Sequence, residues 1–134
     1  MSNAITQLSE LLDTNENEVV EFKAAKTQYD FKKLCEYFSA LSNEANLKAK
    51  DCSWLVLGVN DDKHVVGTQA YSNETFLDTL KKGVADRMTG RVTFTDIYEV
   101  AHPNGRVLML QIPAAPQGMP IAFDGHYYGR DGSS

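Results

Sequence analysis

Ser53-Trp54-Leu55-Val56-Leu57-Gly58-Val59, followed by Asn60-Asp61-Asp62, is the stretch on which the fold turns. Seven residues of nearly unbroken apolar character, closed by a glycine and an Asn-Asp turn, predict a strand buried on both faces rather than one that alternates between core and water. Such a strand belongs in the middle of a sheet. His64-Val65-Val66-Gly67, directly after the turn, predicts its hairpin partner.

Upstream, Phe31, Leu34, Cys35, Phe38 and Leu41 recur at helical spacing, which predicts a helix over 30–43 with Asp30 capping its first turn. The polar segment 44–51 then reads as a loop. Before the helix, residues 18–23 alternate, with Val20 and Phe22 on a core face and Val19, Glu21 and Lys23 on a charged one. Ile5, Leu8, Leu11 and Leu12 predict a short amphipathic helix over 5–13.

Downstream, a second main helix is predicted over 73–88, with Phe76, Leu77, Leu80 and Val84 inward, Ser72 or Asn73 as cap and Gly90 as stop. Residues 92–100 and 106–112 form a hairpin about the Pro103-Asn104-Gly105 turn. Pro113, Pro116 and Pro120 forbid a long helix in the tail, leaving short strands from Ile121 and around His126-Tyr127-Tyr128. The predicted order is helix, strand, helix, hairpin, helix, hairpin, strand. That is an α/β fold: a mixed β-sheet with two main helices packed on it and a short N-terminal helix.

A length of 134 residues with 43% apolar content suits one core and therefore one domain, taken here as residues 5–134. Met1-Ser2-Asn3-Ala4 reads as an expression-tag remnant, and the closing Gly132-Ser133-Ser134 as a cut at a domain boundary of a longer protein. No apolar run approaches the roughly 20 residues that span a bilayer, so no membrane partner is expected. Cys35 and Cys52 lack the spacing of a disulfide framework or a zinc site and read as reduced thiols of a cytoplasmic protein. The net charge of -5 opposes non-specific nucleic-acid binding, which depends on neutralising phosphates. Charge is unevenly distributed, however: Lys23, Lys26, Lys32 and Lys33 form one basic group, and Lys81, Lys82, Arg87 and Arg91 a second. Either group serves as a phosphate-contacting patch or as a solvated helix face.

If the strands carrying Glu21 and Val59 are neighbours, Glu16, Glu21 and Asp61 converge at one end of the sheet. Three carboxylates there would offer oxygen ligands to Mg²⁺ or Mn²⁺, and such a cation can activate water against a phosphodiester. The other reading is structural: Asn60-Asp61 is a sound hairpin turn by itself, and Glu21 can pair with Lys23 or a helix cation. His64, His102 and His126 are scattered, and no glycine run forms a phosphate-cradling loop ahead of a helix. Among the aromatics, Tyr71 and Tyr128 are expected to be exposed.

The segment Glu16-x-x-x-x-Glu21-Phe22-Lys23, the helix end Ser39-Ala40-Leu41-Ser42-Asn43, the strand Leu55–Val59 before an acidic turn, and the closing Tyr127-x-Gly129-Arg130-x-Gly132-Ser133 together resemble the Schlafen/AlbA-type domain over nearly the whole chain. The resemblance implies a nucleic-acid-binding domain of a bacterial transcriptional regulator. DNA or structured RNA would be its partner, with the clustered Lys23, Lys26, Lys32 and Lys33 and the closing Arg130 as candidate contacts; the acidic total also suits a protein-interaction or dimerisation module, with a homodimer as its simplest form. It also implies that an RNA-cutting site, as in some animal Schlafens, would map to Glu16, Glu21 and either Asn60 or Asp61. Two departures weigh against catalysis. Asn46 to Ser53 stands where the family has a glycine pair, and the aspartate pair after Gly-Val reads Asn60-Asp61.

Overall fold

The computed structural model describes residues 3–13 and 19–129. A four-stranded mixed sheet is built from β1 (Val20–Lys23), β2 (Cys52–Leu57), β3 (Asp96–His102) and β4 (Gly105–Pro113), in the order β1-β2-β4-β3. β1 runs parallel to β2, with Glu21 opposite Leu55 and Lys23 opposite Leu57. β2 and β3 both run antiparallel to β4. The apolar run thus occupies an interior position, with Leu55, Val56, Leu57 and Val59 fully buried.

Two apolar clusters, one on each face, explain why β2 has no polar side. On one face Leu55, Leu57, Leu108 and Leu110 pack with Leu34, Phe38 and Leu41 of α2 (Phe31–Leu47) and with Leu80 and Val84 of α3 (Glu74–Arg87). On the other, Trp54, Val56, Val107 and Met109 pack with Leu8 and Leu11 of α1 (Asn3–Leu12). α1 therefore takes in Asn3 and Ala4, and Ala4 itself packs against this second cluster. Asp30 caps α2 as expected, its carboxylate accepting from the Lys33 backbone N–H at 3.0 Å.

Several expectations are corrected. The charged face of β1 is not laid open: Val19 is buried in the α2-side core, and Val20 and Phe22 pack in the α1-side cluster. α2 continues to Leu47 because Ala45 lies one turn beyond Leu41 and adds a buried contact, so the first half of the expected loop is helical. The partner of β2 after the turn shrinks to one bridge, Val59 to Val65, because Arg106 and Gly58 take up the following backbone groups. Phe76 points outward at 55% exposure, and α3 faces the core through Leu80 and Val84. β3 starts only at Asp96, although Phe94 is buried edge-on against Phe38, 5.1 Å between ring centres. The two short tail strands expected from Ile121 and around His126 are present as β5 (Ala122–Phe123) and β6 (His126–Tyr127), which pair with each other in a separate two-stranded sheet. No helix among the described residues is long and apolar enough to cross a membrane.

Candidate nucleic-acid interface

On β1, two residues apart and hence on one face, Glu21 and Lys23 lie at the margin of the α2-side core. The Lys23 ammonium is 3.6 Å from the Glu21 carboxylate and 4.8 Å from the centre of the Tyr37 ring. Burial works against this ammonium, but Tyr37 and Glu21 outweigh it and raise its pKa. Around the pair lie further phenols: Tyr71 donates a 2.6 Å hydrogen bond to the Tyr29 carbonyl, and the Tyr29 hydroxyl is buried with no hydrogen-bond partner among the described residues. Burial, then Tyr37 and Glu21, push the Tyr29 phenol upward. Lys23 is thus committed to an internal cluster, and Tyr71 is half-buried rather than exposed.

Asp61 stands exposed in the turn after β2. The turn is held by Asn60, whose side-chain oxygen accepts from the backbone N–H groups of Asp62 at 3.0 Å and His64 at 2.9 Å. An Asx turn explains the residue at this position without reference to a metal. Glu16 and Arg130 lie outside the described residues. Among the described residues no three histidine, cysteine or acidic side chains are placed to hold a metal ion. Glu21 faces the Lys23 ammonium, and Glu16, the third carboxylate of the expected set, lies outside the described residues.

The remaining lysines are placed differently. The β1–α2 loop is pinned to residues 68–69: the Thr68 hydroxyl donates to the Ala25 carbonyl, and the Gln69 N–H to the Lys26 carbonyl at 2.9 Å. Lys26 on this loop and Lys32 and Lys33 in the first turn of α2 are exposed, and none forms an ion pair among the described residues. The arginines of the second basic group are paired instead, Arg91 with Asp86 at 2.7 Å and Arg87 with Asp124 at 3.0 Å.

A family model described as Schlafen, AlbA_2 matches residues 16–134. The chain belongs to this family. The Schlafen AlbA_2 helix-end motif now has a physical role, because it fastens the tail to α2. Ser39 Oγ donates to the Ile121 carbonyl at 2.8 Å, and Asn43 grips Ile121 twice, donating to its carbonyl at 3.0 Å and accepting from its N–H at 2.8 Å. Asn43 also donates to the Tyr128 carbonyl at 3.3 Å, and Ser42 Oγ to the Pro113 carbonyl at 2.7 Å.

Among solved structures this Schlafen AlbA_2 chain is similar to the DIP2311 protein from Corynebacterium diphtheriae, at 19% identity and a TM-score of 0.63. That match covers 99% of this chain and 26% of the other, so this chain spans about a quarter of that protein's length. It is also similar to the N-terminal domain of a RecG-related protein from Nitrosomonas europaea, at 23% identity, a TM-score of 0.59 and coverage of 98% and 90%. No curated protein matches the sequence.

Two features of this Schlafen AlbA_2 domain escaped the sequence. Arg106 pairs with Glu99 and donates to the carbonyls of Thr68, Ala70 and Tyr71 at 3.2, 2.8 and 2.9 Å, tying the 68–71 loop to the sheet. A lone arginine beginning a strand gives no such signal. The second is an open groove of about 450 Å³ between the start of α2, the end of α3 and the β5–β6 hairpin. Phe31, Lys32, Arg87, Phe123, Asp124, His126 and Tyr128 line it. The three segments are too far apart in sequence for spacing to reveal their meeting.

Proposed function

We propose that the domain binds nucleic acid, with DNA as its principal partner, as the recognition module of a bacterial transcriptional regulator. One observation carries the reading. Lys32 and Lys33 occupy the second and third positions of α2, whose first turn contains no acidic residue. The positive end of a helix dipole disfavours cations there by about 0.3–1 kcal/mol each. A chain of net charge -5 nevertheless keeps two exposed lysines at that point and a third, Lys26, on the preceding loop. Such a concentration of positive charge outside ion pairs suits phosphate oxygens. Family membership supports it, as does the RecG-related neighbour, which is named for an ATP-dependent DNA helicase.

The test is the salt dependence of binding to duplex DNA. Binding should weaken linearly in log–log form, and Lys26→Ala with Lys32→Ala should flatten the slope by about 0.9 per lost contact. An unchanged slope in the double variant would refute the assignment of these lysines.

A further inference from the structure

We infer that the groove between α2, α3 and the tail hairpin is a subsite for an unpaired base and its phosphate, so that the domain prefers single-stranded nucleic acid. This rests on the nucleic-acid reading and says where, and in which strand state, the ligand is held. The groove's composition runs against that of the chain. Two full cations, Lys32 and Arg87, face one acid, Asp124, which leaves an excess of one positive charge with His126 neutral, in a protein of net charge -5. Its apolar lining is aromatic: the half-buried Phe31 and Tyr128, with the buried Phe123 beside Tyr128, ring centres 6.1 Å apart and planes tilted by 39°. Aromatic faces accept any base by stacking, and an anionic backbone needs the adjacent cations. A duplex keeps its bases stacked inside and cannot present one to these rings. The volume, about 450 Å³, lies in the range of small-ligand sites.

The walls are fixed in advance. The Phe31 ring sits against Gly83 of α3, where an added Cβ would lie 3.3 Å from it. The Tyr128 backbone is held by Ser39 and Asn43 and leaves the ring to face the groove. Arg87 is the residue that changes partner. It is 56% exposed and bound to Asp124, a carboxylate that a phosphate can replace.

The experiment measures fluorescence anisotropy with fluorescein-labelled oligothymidylate and oligouridylate of about a dozen nucleotides and a duplex of equal length. Wild type should bind the single strands at least several-fold more tightly. Tyr128→Leu, which keeps both backbone hydrogen bonds, should erase most of that preference, roughly a tenfold loss on single strands. Asp124→Asn should tighten single-strand binding about threefold or more by freeing Arg87. Asparagine tolerates the backbone there, where Asp124 has φ 47°. Opposite signs at Tyr128 and Asp124 would not arise from a purely structural role. Equal binding of duplex with both variants unchanged overturns the groove while leaving the nucleic-acid reading intact, and no binding of any probe overturns both. A sedimenting dimer that Lys32→Glu dissociates would make a second copy the groove's occupant and would also overturn the proposal.

Discussion

Lys33→Glu separates stability from binding at a single side chain. Lys33 is the third residue of α2, and its backbone N–H is already bonded to the Asp30 cap at 3.0 Å. A glutamate at this position completes the reciprocal capping arrangement, its carboxylate reaching back to the cap's own N–H. Removing a cation from the positive helix end contributes about 0.3–1 kcal/mol, and placing an anion there a similar amount. Lost attraction to Asp30, and new repulsion from it, subtract roughly 0.5 kcal/mol. The net gain is about 0.1–1.5 kcal/mol, or up to roughly 6 °C in Tm for a domain of this size. Nucleic-acid affinity moves the other way: one lost phosphate contact lowers it about eightfold at 0.1 M salt and reduces the salt slope by about 0.9. Calorimetry and anisotropy on the same sample measure both. A variant with unchanged affinity and an unchanged or lowered Tm would refute both the helix-end electrostatics and the phosphate role of this turn.

Two further outcomes are expected. Wild-type domain incubated with labelled tRNA should give no Mn²⁺-stimulated cleavage, and Glu21→Gln should change affinity only modestly; Mn²⁺-dependent products absent in Glu21→Gln would replace binding with catalysis. Stability should also fall in alkali. Burial, then the Asp124 charge, push the fully buried Cys35 thiol from 9.0 up to about 12, and burial, then Cys35, push the Tyr71 phenol from 10.0 up to about 12. The folded state therefore holds protons that the unfolded chain has released, so stability is intact below pH 9 and declines between about 9 and 12. Urea titrations across that range should show the decline, with Cys35→Ala flattening its lower part; an unaltered pH profile in that variant would refute the assignment to Cys35.

The central strand was legible because burial on both faces leaves a continuous apolar run, and α2 because its stripe and its cap agree. Boundaries failed where tertiary contacts outweighed local pattern, as at residues 44–47 and 92–95. Phe76 misled because an aromatic at helical spacing carries no mark of which face the sheet lies on. Lys23 was grouped with Lys26, Lys32 and Lys33 by proximity in sequence alone. Strand periodicity turned it toward Glu21 and Tyr37, whereas the other three stand on a loop and a helix turn that face water.

The clamp from α2 to the tail also fixes when, during folding, the groove can exist. Ser39 and Asn43 reach partners 78 to 89 residues further along the chain. Closing a loop of that length carries a large entropic penalty that a few hydrogen bonds do not offset until the sheet and α2 have already brought the ends near. Phe31 and Lys32 are in place early, on a helix with local contacts, and Phe123 and Tyr128 arrive last. On that argument the sheet is expected to close before the second wall of the groove is in place.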